Sequence, residues 1–385
     1  MRYLYLDHAA TTPVSPPVLE AMLPYFTRAA GNPSSTHAAG RAAHDALETA
    51  RARTAAAIGA EAREIFFTSG GTESDNWAVK GTALAALRRG RDVHIITTAI
   101  EHHAVLRACE ALERQGVRVT RLPVDGFGRV DPAEAERAIG PDTALISVMA
   151  VNNEIGTIQP IREIGRIARA HGIPFHTDAV QAIGYLPVDV NDWQADLLSL
   201  SAHKFRGPKG VGALYVRRGF LPETLLHGGA QERGRRAGTE NVPGIVGLGC
   251  AIAAAAAAQP EATARLTALR DRLIRGVLDA VPGSRLIGHP TLRQAGNANL
   301  SFPGVDQEIL LRQLELRGIL ASAGAACSSG QTEPSHVLAA LGLDWEAVTG
   351  AIRFSLGTET TGEDIETALA EIPAAVQDAR AVQGL

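Results

Sequence analysis

Lysine is scarce in this sequence. Of its 385 residues, 37 are Lys or Arg, but the only lysines are Lys80, Lys204 and Lys209. Any reaction that requires a lysine amine therefore has three candidates. The formal net charge is −4 at pH 7, so the chain offers no broad electrostatic attraction to nucleic acid or to an anionic membrane. We therefore expect no direct nucleic-acid partner and no membrane partner.

Cysteine and long apolar runs are also scarce. Cys109, Cys250 and Cys327 are widely spaced and include no Cys-x-x-Cys pair. Their spacing argues against a disulfide framework or a structural zinc site and suits a reducing compartment. The longest run of small apolar residues, 245–258, ends near Pro260 and is shorter than the ~20 residues that a membrane span needs. We interpret this run as a buried helix and expect a cytoplasmic protein.

Short runs of β-branched residues alternate with longer stretches of helical period up to about residue 255. This alternation predicts an α/β fold, with a mostly parallel sheet flanked by helices. Because a domain usually has ~100–200 residues, the length allows two domains. We predict a large domain at 13–255 and a smaller α+β domain formed by 1–12 and 256–385. The predicted strands are 64–68, 93–97, 117–122, 144–149, 173–176, 196–200, 212–216, 285–287, 299–302 and 351–355, and the clearest helices are 72–88, 102–115 and 161–170.

Polar residues collect directly after the predicted strands. In an open α/β sheet, ligands bind outside the carboxyl ends of the strands. The first such end carries Ser-Gly-Gly-Thr-Glu-Ser at 69–74, where glycines and free helix N–H groups can hold a phosphate. The alternative is an ordinary turn in which Thr72 caps a helix. Four later strand ends carry an imidazole, an amide, a carboxyl and an amine, those of His102, Asn153, Asp178 and Lys204.

Taken singly, each of these residues has an ordinary structural explanation as a cap, a turn or a surface charge. Together they match the requirements of pyridoxal phosphate, which are a lysine for its Schiff base, an acid against its pyridine nitrogen, a group over its ring and a phosphate site. Lys204 is favoured among the three lysines. Lys80 lies inside the helix predicted after 69–74, and Lys209 lies in a Gly-Pro-Lys-Gly turn.

Other ligand classes are less well supported. No Gly-Lys-Ser/Thr follows the glycines at 69–74, and no Gly-x-Gly-x-x-Gly motif is present, so the nucleotide-binding fingerprints are missing. His176, Asp178 and His203 are the candidates for a metal site, but their spacing matches no common zinc or iron pattern. We predict no metal.

The chain resembles the cysteine desulfurases of the NifS/IscS type, a branch of the class V aminotransferases with the type I pyridoxal phosphate fold. The resemblance extends over nearly the whole length and depends on long motifs in the family's order. One departure is His8, which stands where the family usually has asparagine and for which the sequence gives no physical reason. The matching segments are 5–12, 31–35, 69–76, 151–156, 176–181, 201–211, 235–241, 326–330 and 352–355.

Carried over residue by residue, the resemblance implies a pyridoxal phosphate site. Lys204 would form the Schiff base, Asp178 would keep the pyridine nitrogen protonated, and His102 would stack on the ring and move protons. The other implied roles are bonds to the ring oxygen from Asn153 and Gln181, phosphate binding by Gly71, Thr72, Ser201 and His203, a phosphate contact from a neighbouring subunit by Thr239, and a clamp on the substrate carboxylate formed by Asn32 and Arg353.

Cys327 lies among small side chains, for which we predict a mobile loop at about 321–333. A thiol with a pKa of about 8.5 is partly ionised at neutral pH and is a strong nucleophile. The resemblance implies that Cys327 takes the sulfur of L-cysteine as a persulfide and that L-alanine leaves. Cys109 and Cys250 lie in Ala/Leu helical stretches, and we interpret both as small apolar core residues.

The resemblance also implies a homodimer with shared sites, and sulfur transfer to acceptor proteins. Iron–sulfur scaffold proteins and tRNA-thiolation proteins are both implied as acceptors. Within the same fold, the alternatives are a selenocysteine lyase or another class V lyase or aminotransferase that makes no use of Cys327. An alternative of another class is a non-catalytic docking subunit for sulfur acceptors, which the intact set of Lys204, Asp178, His102 and Cys327 disfavours.

Overall fold

The computed structural model describes residues 3–324 and 335–384. Cys327 and most of the loop predicted at 321–333 therefore lie outside the described residues. The strands are β1 (Leu4–Tyr5), β2 (Ile65–Thr68), β3 (His94–Thr98), β4 (Arg118–Leu122), β5 (Thr143–Ser147), β6 (Phe175–Asp178), β7 (Leu197–Ser201), β8 (Gly212–Val216), β9 (Arg285–Ile287), β10 (Asn297–Ser301), β11 (Ile319–Leu320) and β12 (Ala351–Ser355). The α-helices are α1 (Pro16–Met22), α2 (Ala38–Ala57), α3 (Gly71–Leu87), α4 (His103–Glu113), α5 (Pro132–Ala138), α6 (Ile161–Ala170), α7 (Gln231–Gly234), α8 (Val242–Ala280), α9 (Gln307–Leu316), α10 (His336–Ala340), α11 (Trp345–Thr349) and α12 (Gly362–Gln383). Short 3₁₀ turns lie at Leu23–Phe26, Ala62–Glu64 and Ala202–Lys204.

The central sheet has seven strands in the order β2-β8-β7-β6-β5-β3-β4. Strand β8 is antiparallel to both of its neighbours, and the other adjacent pairs are parallel. The predicted α/β fold with a mostly parallel sheet is therefore confirmed. Because β8 alone is reversed, the carboxyl ends of the other six strands lie at one edge of the sheet.

Helices cover both faces of this sheet, because each helix carries an apolar stripe that must be buried. In α6, for example, Ile161, Ile164 and Ala168 are buried at a spacing of three or four residues. Helices α3 and α4 contribute to one core cluster together with sheet residues such as Leu214. Helices α2, α6 and the first part of α8 contribute to another, on the opposite face.

A separate hydrophobic core, that of the smaller sheet, lies around the antiparallel strands β9, β10 and β12. Helices α9 and α12 and the second part of α8 pack on this smaller sheet. The N-terminal segment also joins it, because β1 pairs with β11 and Leu6 is fully buried in this core. The exact domain boundaries, 13–255 against 1–12 and 256–385, remain predictions.

Helix α8 differs from the sequence prediction, which ended a buried helix near Pro260. The structure shows one continuous helix of 39 residues through Pro260. A proline inside a helix costs about 3 kcal/mol, but packing of α8 along α2 and on both cores offsets that cost. By length and composition α8 could also cross a membrane, and 44% of its most apolar 18-residue window is buried inside the protein.

Candidate active site

A cavity of about 200 Å³ lies at the carboxyl edge of the central sheet. Residues that follow β2, β3, β5, β6 and β7 form its walls, because these strands all end at this edge. The structure thus brings together side chains that are far apart in sequence. The predicted site residues that line the cavity are Gly71, Thr72, His102, Asn153, Asp178, Gln181, Ser201, His203, Lys204 and Arg353.

Lys204 ends the 3₁₀ turn that follows β7, and its side chain lines the cavity. Its Nζ donates hydrogen bonds to the carbonyl oxygens of Ala9 at 2.6 Å and Ala10 at 2.8 Å. The N-terminal segment therefore reaches across the cavity and holds the amine in place. Neither Lys80 nor Lys209 is among the described lining residues.

Asp178 is the last residue of β6 and is buried, with 6% of its surface exposed. One of its oxygens accepts the backbone N–H of Val180 at 2.9 Å. Burial raises the pKa of Asp178 to about 6, while the Val180 hydrogen bond and the charge of Lys204 act in the opposite direction. A buried carboxyl at this position can hold a protonated ring nitrogen.

His102 is the N-cap of α4, where its Nδ1 accepts the backbone N–H of Ala104 at 3.1 Å. Burial lowers the pKa of His102 to about 4, and the nearby charge of Lys204 adds to the effect. The imidazole is therefore neutral at pH 7, and because Nδ1 accepts a hydrogen bond, Nε2 carries the proton. The side chain therefore caps a helix and lines the cavity at the same time.

The phosphate site predicted at 69–74 lies where β2 leads into α3. Helix α3 begins at Gly71, and its N-cap is Gly70, which makes no side-chain cap bond. The alternative in which Thr72 caps the helix is therefore wrong. A Cβ on Gly71 would lie 2.9 Å from Val180 Cγ2, so glycine lets the start of α3 pack closely against Val180. The N–H groups of a helix N-terminus can bind a phosphate.

Arg353 lies on β12 of the smaller sheet and reaches the cavity with 1% of its surface exposed. Its guanidinium donates to Asp7 Oδ1 at 2.8 Å and to the carbonyl oxygen of Asn153 at 2.9 Å. The Nε of Arg353 has no hydrogen-bond partner among the described atoms. A guanidinium at the wall of the cavity suits a carboxylate ligand. Gln181, another lining residue, donates to the carbonyl oxygen of Ala9 at 2.9 Å.

Two predicted site residues do not line the cavity. Asn32 is exposed, and its Oδ1 accepts the backbone N–H of Ser34 at 2.9 Å in a turn. Thr239 is exposed as well. Its segment nevertheless lies beside α3, because Arg236 donates hydrogen bonds to the Glu73 carboxylate at 2.9 and 3.1 Å. Their roles stay predictions, and Cys327 lies outside the described residues.

The sequence prediction missed several cavity residues. Asp75, Glu154, His103 and His336 all line the cavity. Asp75 and Glu154 are each 1% exposed, a rare state for carboxyls. Both lie within segments that the resemblance matched, 69–76 and 151–156, so position in those motifs was the available signal. Among residues 3–324 and 335–384, no group of three or more His, Cys, Asp or Glu side chains could hold a metal ion.

The donor set fits pyridoxal phosphate. A lysine amine, a buried carboxyl, a neutral imidazole and a glycine-bounded helix N-terminus all lie in one cavity. These are the groups that the cofactor's aldehyde, ring nitrogen, ring face and phosphate require.

His176 lies on β6, two residues before Asp178, and is a fully buried histidine that makes stability depend on pH. His176 is hydrogen-bonded to the hydroxyls of Ser147 at 2.8 Å and Ser199 at 3.0 Å, and burial lowers its pKa to about 3. The pKa of a histidine in the unfolded chain is about 6.5. At pH values between about 6.5 and the folded pKa, the unfolded chain binds a proton at His176 and the folded chain does not, so lowering the pH destabilises the fold. From pH 7 to 5.5, we expect His176 to lower the free energy of unfolding by about 1 kcal/mol.

Urea unfolding of the wild type and of His176→Gln at these two pH values tests this expectation. The glutamine can still bond both serines but does not titrate. Burial raises the pKa of Glu101 and Asp178, so protonation of these carboxyls at lower pH stabilises the fold. This effect is present in both proteins and cancels in the comparison. The difference between the two proteins therefore isolates His176. Equal changes in both would contradict a neutral, buried His176.

Comparison with known proteins gives consistent results. Residues 4–368 match the family model Aminotransferase class-V. The chain is 56% identical over 377 residues to cysteine desulfurase IscS of Methanosarcina thermophila, covering 98% of this chain and 93% of that protein. It is 50% identical over 386 residues to cysteine desulfurase IscS of Clostridium botulinum strain Hall, covering 100% and 97%.

Solved structures agree with the sequence comparison. A NIFS-like protein superposes with a TM-score of 0.92 at 39% identity, covering 98% of this chain and 100% of that one. A structure described as SspA in complex with cysteine superposes with a TM-score of 0.82 at 39% identity, covering 93% and 99%.

Proposed function

The chain belongs to the class V aminotransferases, as a member of the cysteine desulfurases, and we propose that it takes sulfur from L-cysteine onto Cys327 and releases L-alanine. The observation that carries the proposal is the single cavity that joins Lys204, Asp178 and His102. The similar structure described as a complex with cysteine supports L-cysteine as the substrate.

Pyridoxal 5′-phosphate is the cofactor of this family, and when bound it supplies an electron sink that labilises the bonds at Cα and Cβ of an amino acid. Lys204 would hold it through the side-chain amine, and Asp178 would keep the ring nitrogen protonated. His102 would cover the ring, and Asn153 and Gln181 would bond its oxygen. The phosphate would be held by Gly71, Thr72, Ser201 and His203.

The chain's own residues also orient the substrate and move protons. Arg353 binds the substrate carboxylate through its buried guanidinium, assisted by Asn32. Lys204 Nζ and His102 Nε2 exchange protons with the substrate carbons. Burial lowers the pKa of His102 to about 4, so the ring is neutral at pH 7 and readily passes on to the substrate any proton that it takes up.

The sulfur step needs no external oxidant. The Cys327 thiolate attacks the substrate sulfur, so that an S–S bond forms while the substrate C–S bond breaks. The electron pair of the broken bond stays with the substrate carbon, which takes up a proton and leaves as the methyl group of L-alanine. A thiolate of an acceptor or of a reductant then attacks the persulfide and takes its outer sulfur.

The finer parts of the proposal concern partners and location. We assign Thr239 to the phosphate site of a second copy of the chain, which makes the active form a homodimer, a state that analytical ultracentrifugation measures directly. The sulfur goes to iron–sulfur scaffold proteins or tRNA-thiolation proteins, as the IscS name of the relatives supports. The described cysteines, Cys109 and Cys250, are free thiols, which supports a location in the cytoplasm.

The test is to add L-cysteine and a thiol reductant to the purified yellow protein and to measure sulfide and alanine. Equal amounts of both are expected. Cofactor absorbance without alanine from L-cysteine would indicate another class V reaction, and faster turnover of L-selenocysteine would indicate a lyase for that substrate. A protein that binds acceptors but produces neither sulfide nor alanine would be a docking subunit. A colourless protein that cannot be reconstituted with cofactor would overturn the role of Lys204.

A further inference from the structure

Glu154 lies in the loop after β5, and its backbone is bonded from both sides. Its N–H donates to Asn152 Oδ1 at 2.9 Å. Its carbonyl oxygen accepts the side-chain amides of Asn297 and Asn299, both at 3.1 Å, from β10 of the smaller sheet. The position of Glu154 is therefore set by the loop and by the smaller sheet together.

The Glu154 carboxylate contacts two residues that are distant from it in sequence. Its Oε2 accepts the hydroxyl of Ser335 at 2.5 Å. The same oxygen lies against Gly324, where a Cβ would approach it to 2.8 Å and where the backbone φ is +69°. Gly324 and Ser335 are the described residues on either side of 325–334, the stretch that contains Cys327. One buried carboxylate thus bonds one flank of that stretch and lies close to the other.

Other contacts fix these two flanks at the same place. On the N-terminal side, Ser322 and Arg353 exchange backbone hydrogen bonds of 2.7 and 3.2 Å. On the C-terminal side, His336 bonds the carbonyl oxygen of Glu101 at 3.0 Å, and its ring lies 4.6 Å from that of His103. Both flanks therefore lie beside the cavity that Glu154, His103, His336 and Arg353 line.

We propose that Glu154 is a positioning residue for Cys327, holding Gly324 and Ser335 together at the rim of the cavity. Fixing both ends of a short segment raises the effective concentration of any group it carries near those ends. Glu154 thereby favours attack of the thiolate on the substrate sulfur. This inference rests on the proposed desulfurase function, because only that function requires Cys327 to meet the substrate.

The test separates the cofactor from the thiol. The wild type and the variants Glu154→Ala and Ser335→Ala are mixed rapidly with L-cysteine without reductant. The absorbance change of the bound cofactor reports substrate binding and chemistry in the cavity, and mass spectrometry of the Cys327 peptide reports the persulfide. In both variants we expect the absorbance change to occur within about twofold of the wild-type rate. Persulfide formation should be slower by about tenfold or more, because each variant leaves one partner of the Glu154–Ser335 hydrogen bond unpaired.

Two matched variants serve as controls. Glu154→Gln keeps an oxygen that can accept the Ser335 hydroxyl, so it should restore most of the persulfide rate. Ser301→Ala removes a buried hydroxyl of the smaller sheet, which donates to the carbonyl oxygen of Ala347 at 2.9 Å and not to Glu154. It should behave like the wild type in both readouts. Ser335→Ala is the milder change, so it keeps the test valid if Glu154→Ala folds poorly.

The outcomes are distinct. Persulfide formation at the wild-type rate in both Glu154→Ala and Ser335→Ala would overturn the inference. Equal losses in both readouts would also overturn it, because Glu154 would then act on the cavity as a whole. If the wild type itself shows no absorbance change with L-cysteine, the proposed function fails, and this inference fails with it.

Discussion

Replacing Lys204 by alanine is expected to abolish desulfuration, with a loss of about three orders of magnitude or more. The amine attaches the cofactor and exchanges protons with the substrate, and no other described lysine lines the cavity. The measurement is borohydride reduction of the purified protein, followed by peptide mass spectrometry. In the wild type, the reduced cofactor should be found on the peptide that contains Lys204. In the alanine variant, it should be missing.

The scarcity of lysine makes this test unusually clean. Lys80→Ala and Lys209→Ala are matched controls that change the same residue type outside the cavity. Lys209 is exposed and Lys80 lies within α3, so both variants should keep the cofactor and the activity. Cofactor on the Lys80 or Lys209 peptide would contradict the assignment of Lys204.

Replacing Cys327 by serine is expected to leave the cofactor's absorbance, and its change on addition of L-cysteine, close to those of the wild type. Sulfide and alanine production should fall by about a thousandfold. A serine hydroxyl is hardly ionised at neutral pH and is a far weaker nucleophile than a thiolate, so it cannot take over the sulfur. The assay measures alanine and sulfide from the same reaction.

The other cysteines provide the controls for this variant. Burial raises the pKa of the Cys109 thiol to about 12, so it is not ionised at neutral pH. Cys250 is half-buried on α8, and Cys250→Ser should retain activity. Appreciable turnover by Cys327→Ser would contradict the role of Cys327 and would favour a class V enzyme that makes no use of it.

The positions of the main site residues could be predicted from sequence because the fold follows a simple rule. Hydrophobic periodicity located the strands, and parallel strands end at a common edge. His102, Asp178 and Lys204 each lie at or shortly after the carboxyl end of a strand, so their meeting in one cavity followed from topology. The resemblance then gave roles to residues such as Arg353. This residue lies on the smaller sheet, so the position of the strand ends in the central sheet does not predict it.

The course of α8 could not be predicted, because local sequence and tertiary packing disagree at Pro260. Sequence reasoning ends a helix near an internal proline. The structure continues the helix, because its two parts are each buried in a different core, through residues such as Leu248 and Leu273. Burial of this kind depends on the whole fold, so the residues around Pro260 do not indicate it.

Burial also explains the polar residues that the sequence left without a role. His8 packs edge-on against Tyr5, with ring centroids 4.8 Å apart, and lies on Gly357, where a Cβ would come within 2.3 Å of the imidazole. Burial lowers the pKa of His8, so it is a neutral packing residue. Asp75 and Glu154 read as ordinary polar residues in the sequence, and only the folded chain shows that both carboxyls are buried at the cavity.

The most direct test of the central claim is a single turnover in the absence of reductant. Purified protein is mixed with L-cysteine, alanine is quantified, and the peptide that contains Cys327 is weighed by mass spectrometry. The account predicts one alanine per active site and a gain of one sulfur atom on that peptide, reversed by a thiol. Alanine formed without added sulfur on Cys327, or sulfur found on Cys109 or Cys250 instead, would contradict it.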